Sequence, residues 1–237
     1  MAWRGKLGIV YPADGALDSE YWKWVPGGVS VHINRFPAED DQRVEVFETQ
    51  ADSSDIENSA KELSVIEPDA IAYACTSGSF IHGRGKDSEI IERMEQETEI
   101  PSTTSSTAIV RALTKLSVEK IAVAAPYPDD VNSRLKTYLE DYGFEVVSIQ
   151  GLGLKSGIFS QSTGTSYKLG KKANREEADA VVISCTNFKT FEVLEYLERD
   201  IDKPVVSANQ ATTWDLMRLA GMRGAYPGRG RLFGEND

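Results

Sequence analysis

The sequence has few of the residues that bind metal ions or build disulfide frameworks. Its 237 residues include only two cysteines and two histidines, His32 and His82. The cysteines, Cys75 and Cys185, lie far apart in the chain, so they match neither a zinc-finger spacing nor the dense pattern of a small secreted domain. We therefore expect no metal centre, and we expect the histidines to be ordinary hydrogen-bonded or solvated side chains.

Long apolar runs are also missing, and basic residues are the minority charge. No stretch approaches the roughly 20 consecutive apolar residues that span a bilayer, and the start of the chain lacks the features of a signal peptide. Lys and Arg total 26 against 37 Asp and Glu, a net charge of −11. Because nucleic acids and anionic membranes bind through clustered basic residues, we expect neither as a partner. The composition favours a soluble, cytoplasmic protein.

Short apolar segments alternate with amphipathic ones, a pattern typical of an α/β fold with parallel strands flanked by helices. The predicted strands cover residues 7–11, 29–36, 70–74, 120–125, 144–149, 180–184 and 204–207. Apolar stripes predict helices over 108–116, after 128–130, around 191–197 and around 213–219. The aromatic residues Tyr21, Trp22 and Trp24 are expected in an early loop.

An internal repeat divides the chain into two similar halves. The segments AIAYACTSGSF at 70–80 and AVVISCTNF at 180–188 both read as a strand, a Cys-Thr pair and a turn. A helix and a segment led by proline follow each of them. We therefore predict two pseudo-symmetric lobes with the active site in the cleft between them. Residues 1–116 carry Cys75, and residues 117–237 carry Cys185 and a tail that packs back.

The two cysteines are expected at the edge of each sheet where ligands bind, since both directly follow a predicted buried strand. A thiolate on one face can remove a proton beside a carboxylate while a thiol on the other face returns one. Donors that could bind the carboxylate follow each cysteine or the neighbouring strand: Thr76, Ser77, Tyr127, Thr186 and Asn187. One such cysteine alone is usually a small buried hydrophobe, but two matched Cys-Thr positions favour catalysis.

Several short motifs extend along nearly the whole chain in a fixed order. They are GIVYP at 8–12, CTSGSF at 75–80, PY at 126–127, SC at 184–185, PVVS at 204–207 and PGRGRLF at 227–233. With these motifs the chain resembles the Asp/Glu racemase superfamily, and within it the group of arylmalonate decarboxylase and maleate cis-trans isomerase. The resemblance implies a cofactor-independent enzyme, possible homo-oligomerisation, and oxyanion binding by Thr76, Ser77, Tyr127, Cys185 and Thr186, with Pro12 lining the pocket.

Differences from the group indicate the subclass. The decarboxylase has glycine at the position of Cys75 and Gly-Gly at the position of Thr186-Asn187. Loss of carbon dioxide needs one proton donor, whereas a racemase, or an isomerase that adds a thiolate to an alkene, needs both thiols. The maleate branch has an asparagine after the first strand, where this chain has Asp14. A carboxylate at this position of the pocket lining would repel a dicarboxylate.

We therefore predict a cofactor-independent isomerase or racemase of a small carboxylate substrate, with Cys75 and Cys185 as the catalytic residues. Three alternatives stay open. The first is a decarboxylase of the arylmalonate type in which Cys185 is the proton donor. The second is a non-catalytic carboxylate-binding protein, and the third is a redox protein in which the two cysteines form a disulfide.

Overall fold

Two parallel sheets of four strands each organise the chain, and helices cover both of them. The structure is a computed structural model that describes residues 4–234. In the first half the elements are β1 (Gly5–Pro12), α1 (Asp18–Trp24), β2 (Val29–Phe36), α2 (Val44–Asp52), α3 (Asp55–Ser64), β3 (Ala70–Tyr73), α4 (Thr76–Phe80), α5 (Lys86–Thr98), β4 (Ser102–Thr104) and α6 (Ser105–Lys115). In the second half they are β5 (Lys120–Ala125), α7 (Asp129–Asp141), β6 (Glu145–Gly151), α8 (Thr163–Ala173), β7 (Ala180–Ile183), α9 (Leu194–Ile201), β8 (Val205–Ser207), α10 (Ala208–Leu219) and α11 (Arg231–Gly234).

The two sheets have the same strand order, which confirms the predicted pseudo-symmetric α/β architecture. The order is β2-β1-β3-β4 in the first sheet and β6-β5-β7-β8 in the second, and every pairing is parallel. Strands β3 and β7 consist wholly of buried residues. Burial on both faces explains why these strands appear in the sequence as unbroken apolar runs. The boundary predicted at residue 116 lies in the turn between α6 and β5.

Every predicted strand is present, but the sequence pattern did not reveal β4. This strand has the sequence Ser-Thr-Thr, and it pairs with β3 through Ile71 and Ser102, Ala72 and Thr103, and Tyr73 and Thr104. Its side chains are buried although they are polar. Hydroxyl groups can be buried at low cost when they are hydrogen-bonded, so an apolar pattern is not required of so short a strand.

The helices begin and end differently from the predictions at several points. Helix α6 begins three residues early because the Thr104 side chain accepts a hydrogen bond from the Thr107 amide, and α10 begins at Ala208 behind a Ser207–Gln210 capping box. The expected early loop is wrong, since the aromatic residues there form helix α1, with Tyr21 and Trp24 buried and Trp22 exposed. Among residues 4–234, no helix is long and apolar enough to cross a membrane.

Helices of each half contact the other half, among them α1 and α7. Helix α1 carries the buried Glu20, whose carboxylate accepts hydrogen bonds from the amide of Phe191 at 3.0 Å and the side chain of Asn209 at 2.6 Å. Tyr138 of helix α7 and Tyr142, directly after that helix, donate from their hydroxyls to the buried Asp87 of helix α5 at 3.0 and 2.9 Å. Thr107 donates to the same carboxylate at 2.7 Å. These reciprocal contacts join the two halves without a flexible linker.

The described part of the C-terminal tail also contacts both halves. Arg229 donates to the carbonyl oxygens of Trp24 and Val25 at 2.6 and 3.0 Å, and the ring of Phe233 stacks on Trp24. The amide of Arg231 donates to Glu198 on helix α9. The tail therefore connects helix α1 to the second half. Residues 235–237 of the predicted tail lie outside the described residues.

Asp87 and the three hydroxyl groups bound to it, the Asp87 cluster, provide a test of the interface between the two halves. Replacing Asp87 with Ala removes the acceptor of three hydroxyl groups, so we expect the free energy of unfolding to fall by about 2 to 4 kcal/mol. Urea denaturation measures the change. As a control, Glu92→Ala removes an exposed carboxylate from the same helix and should change the free energy by less than about 0.5 kcal/mol. Equal effects of the two substitutions would contradict the proposed contribution of the cluster.

Candidate active site

The two cysteines lie at equivalent places in the two sheets. Cys75 follows β3 after Ala74, and Cys185 follows β7 after Ser184. The carboxyl ends of parallel strands are where open α/β sheets bind ligands. Both cysteines are buried free thiols, and both line a single pocket.

All of the site residues predicted from the sequence line this pocket. They are Pro12, Asp14, Cys75, Thr76, Ser77, Tyr127, Cys185, Thr186 and Asn187. The remaining lining residues were not predicted: Glu39, Gln42, Phe47, Gln50 and Ile158. These come from the segments after β2 and β6, the strands beside β1 and β5. The rule that ligands bind at carboxyl ends of strands could have directed attention to them, but no motif marks them.

The turn after Cys75 brings several donors close to its sulfur. Burial raises the pKa of the Cys75 thiol, while the amide of Gly78 and the hydroxyl of Ser77, 3.7 Å from the sulfur, act in the opposite direction. A Cβ atom at position 78 would lie 2.2 Å from the Tyr73 hydroxyl and 3.3 Å from the Cys75 sulfur. The close approach of this backbone to the Tyr73 hydroxyl therefore favours glycine, and it lets the Gly78 amide lie near the Cys75 sulfur.

Cys185 has an unusual backbone conformation for a residue with a side chain. Its φ angle is +92°, whereas that of Cys75 is −133°. Such conformations cost about 1 to 3 kcal/mol and occur most often at functional sites. The amide of Asn187 donates to the Cys185 sulfur at 3.4 Å. Burial dominates nevertheless and raises the pKa of Cys185 to about 12, which favours the thiol form.

Hydroxyl groups line the pocket around the two sulfur atoms. The Thr76 hydroxyl is buried and has no hydrogen-bond partner among the described residues, so a ligand oxygen would satisfy it. The Tyr127 hydroxyl lies 3.5 Å from the Ser184 hydroxyl and also acts on Cys185, lowering its pKa. The Thr186 hydroxyl has a different role, because it donates to the carbonyl oxygen of Ala74 at 3.1 Å.

The side chain of Asn187 holds the loop that carries Asp14. It donates to the carbonyl oxygen of Asp14 at 3.1 Å and accepts from the amide of Ala16 at 3.0 Å. One N–H of this amide group is left for a ligand. Burial and the negative charge of Asp40 raise the pKa of Asp14 to about 6. The Asp14 charge in turn raises the pKa of both thiols.

Two loops meet beside the pocket, one from each half of the chain. The amide of Gln42 donates to the carbonyl oxygen of Lys155 at 3.0 Å, and the amide of Gly157 donates to the Asp40 carboxylate at 2.7 Å. Gln42 and Ile158 are buried and line the pocket. These contacts place residues of both halves over the cysteines.

The histidines lie outside this pocket. His32 contacts the hydroxyl of Ser30 at 2.8 Å, and His82 lies 3.4 Å from the carboxylate of Asp52. In the part of the chain that the structure describes, no group of three or more His, Cys, Asp or Glu residues is arranged to hold a metal ion.

Comparison with known proteins identifies relatives of this chain. A family model described as arylmalonate decarboxylase matches residues 8–233. An arylmalonate decarboxylase of Bordetella bronchiseptica is 35% identical over 167 residues, which cover 68% of this chain and 69% of the relative. A maleate isomerase of Pseudomonas putida is 27% identical over 215 residues, which cover 87% and 85% of the two chains.

Solved structures show the same fold. The structure of unliganded arylmalonate decarboxylase has a TM-score of 0.83 at 27% identity. The match covers 98% of this chain and 100% of the solved chain. A mutant of the Nocardia farcinica maleate cis-trans isomerase, with a covalently bound succinylcysteine intermediate, has a TM-score of 0.91 at 21% identity and covers 98% and 99% of the two chains.

The electrostatics of the pocket can be tested by alkylation of the thiols. Because the pKa values of both cysteines are raised, iodoacetamide should react slowly at pH 7.5 and steadily faster up to pH 10. Asp14→Asn removes a negative charge that raises both pKa values, so it should increase both rate constants about three- to tenfold at pH 8. Peptide mass spectrometry separates the two cysteines.

Glu45→Gln is the matched control, because it removes one charge from an exposed residue outside the pocket. It should leave the alkylation rates unchanged. Rates that already reach a plateau below pH 8, or rates that Asp14→Asn does not change, would contradict this description of the pocket.

Proposed function

The chain belongs to the arylmalonate decarboxylase family, and from this membership we propose that it is a cofactor-independent isomerase or racemase of a small carboxylate, using Cys75 and Cys185 together. One observation supports the proposal above all. Two buried free thiols, at equivalent positions after β3 and β7, line the same pocket. The relatives named maleate isomerase add support for isomerase chemistry within this family.

The hydroxyl and amide groups of the pocket bind the substrate carboxylate in this proposal. Thr76 supplies a buried hydroxyl that has no hydrogen-bond partner within residues 4–234. The same pocket is lined by Ser77, Tyr127, Thr186 and Asn187. A proton beside a carboxylate is a very weak acid, so the carbanion must be stabilised as an enediolate. Donors fixed in place before the reaction provide this stabilisation, and each contributes about 3 kcal/mol.

The two sulfur atoms exchange one proton with the substrate. The thiolate of one cysteine removes the proton as the C–H bond breaks, and the electron pair moves into the enediolate. The thiol of the other cysteine then delivers its proton to the opposite face of the carbon, and its sulfur is left as a thiolate. Because the pKa of each thiol is raised, we expect the thiolate to form together with substrate binding.

The same residues serve a cis-trans reaction of an unsaturated acid. Cys75 adds to the double bond as Cys185 supplies a proton, the resulting single bond rotates, and expulsion of the Cys75 sulfur returns the proton to Cys185. A covalent cysteine adduct of this kind is described for the Nocardia farcinica isomerase. The racemase and cis-trans reactions differ in substrate and agree in requiring both cysteines.

Decarboxylation is the second candidate function. It is favoured by the family model and by the 35% identity with the Bordetella bronchiseptica enzyme. In that reaction carbon dioxide leaves the substrate, and Cys185 alone protonates the carbanion. Cys75 would then only fill space in the pocket. The two candidates therefore make opposite predictions for the removal of the Cys75 sulfur.

We expect Cys75→Ala to abolish turnover of any acid that the unmodified enzyme isomerises or racemises. The test is a proton-NMR time course in D2O with chiral 2-substituted acids, maleate and substituted malonates. The unmodified enzyme should introduce deuterium beside a carboxylate or convert maleate to fumarate, and Cys75→Ala and Cys185→Ser should each lower the rate at least a thousandfold. Circular dichroism and a thermal melt serve as controls for folding.

Other results would overturn the proposal. Equal release of carbon dioxide from a malonate by the unmodified enzyme and Cys75→Ala would establish the single-cysteine decarboxylase. Thermal stabilisation by a carboxylate without turnover of any acid in the panel would support a non-catalytic binding protein.

A further inference from the structure

Two glutamines in the lining of the active-site pocket leave their side-chain amides without a hydrogen bond to any residue within 4–234. Gln42 lies just before α2 and Gln50 lies within it, and both residues are buried. The backbone amide of Gln42 donates to the carbonyl oxygen of Lys155, but this contact does not use the side chain. Burial of an amide group without a partner is unfavourable, so both side chains require an explanation.

Another buried glutamine shows the arrangement that packing alone produces. Gln210 accepts a hydrogen bond from the amide of Ser207 at 3.3 Å and donates one to the carbonyl oxygen of Arg229 at 2.8 Å. Both ends of its side chain are therefore satisfied by the protein. Gln42 and Gln50 instead border the space of the pocket and have neither bond within the described residues. The difference indicates that these two amides bind a ligand.

The charged residues of the lining do not suit a second anion. Asp14 and Glu39 line the same pocket, and among residues 4–234 no lysine, arginine or histidine does so. The buried hydroxyl of Thr76, which has no partner among those residues, is available for one substrate carboxylate. A second carboxylate would meet negative side chains without a cation to offset its charge.

The chemistry of the amide group narrows what the second group of the ligand is. Each glutamine side chain has an oxygen that accepts hydrogen bonds and a nitrogen that donates them. A carboxylate satisfies only the nitrogen, an ammonium group satisfies only the oxygen, and an alkyl or aryl group satisfies neither. A carboxamide both donates and accepts, so it can pair with both atoms.

We infer that Gln42 and Gln50 form a subsite for an uncharged carboxamide-type group of the substrate, whose carboxylate binds at Thr76. This inference rests on the proposed function and names a second group by which its substrate is recognised. Helix α2, which carries Gln50, packs against α4, and α4 begins directly after Cys75. Sites built to hydrogen-bond a polar group discriminate strongly against analogues that lack it, so the two glutamines determine specificity.

A series of matched carboxylates tests the subsite. Succinamate carries the carboxamide, succinate replaces it with a carboxylate, 4-aminobutyrate with an ammonium group, and 4-methylpentanoate with an apolar group. Because the distance between the two recognised groups is unidentified, malonamate and glutaramate are added, each with its dicarboxylate, ammonium and apolar analogues of the same length. Titration calorimetry measures binding, so the result does not depend on turnover.

The unmodified protein should bind its best carboxamide at least tenfold more tightly than the three analogues of the same length. Gln42→Met and Gln50→Met keep the approximate size of the side chain and remove its hydrogen-bonding atoms. Each should weaken binding of the carboxamide about tenfold without weakening binding of the apolar analogue. Gln96→Met, at an exposed position of α5, is the matched control and should change none of these affinities.

Two kinds of result would overturn the inference. The first is that the unmodified protein binds no carboxamide, or binds one of the other analogues more tightly than every carboxamide. The second is that both glutamine variants keep the full preference, or lose affinity equally for all ligands, which would mean that the glutamines only maintain the fold. Failure of the proposed function is a separate outcome, since unchanged turnover in Cys75→Ala would refute two-cysteine catalysis while the ligand preference still decides this inference.

Discussion

The active site depends on a direct hydrogen bond between the two cysteine turns. The Thr186 hydroxyl, next to Cys185, donates to the carbonyl oxygen of Ala74, next to Cys75, at 3.1 Å, and both groups are buried. The carbonyl oxygen of Thr186 in turn accepts from Tyr11 on β1 and from Asn209 on α10. Two separate sheets are thereby fixed relative to each other at the candidate active site. The contacts that helices α1 and α7 make with the opposite halves of the chain support this placement.

Burial of the two cysteines disfavours the thiolate that the proposed reaction requires. Desolvation raises the pKa of Cys185 to about 12, so burial disfavours the thiolate relative to the thiol. The donors at Asn187 and Tyr127 offset only part of that effect. A pocket that keeps both thiols protonated at rest also protects them from alkylation and oxidation, since the thiolate is the reactive form.

Much of this arrangement could be predicted from the sequence, because the features concerned are local. The strands β3 and β7 are unbroken apolar runs, and each is followed by Cys-Thr, so the pairing of Cys75 with Cys185 is visible as a repeat. The features that the sequence did not reveal depend on contacts between distant segments. The three polar residues of β4 become a strand only beside β3, and helix α1 is stabilised mainly by packing of Tyr21 and Trp24 against other elements. Gln42 and Ile158 reach the pocket only because two loops from opposite halves meet there.

In the proposed reaction the two thiols act on opposite faces of one bound carboxylate, and isotope wash-in measures this most directly. One enantiomer of a turned-over 2-substituted acid is incubated in D2O, and both enantiomers are isolated by chiral chromatography before a tenth of the substrate has reacted. We expect deuterium in nearly all of the product enantiomer and almost none in the recovered substrate, because each thiol serves one face. Equal deuterium in the two enantiomers would show that a single group serves both faces, which is incompatible with the two-thiol reaction.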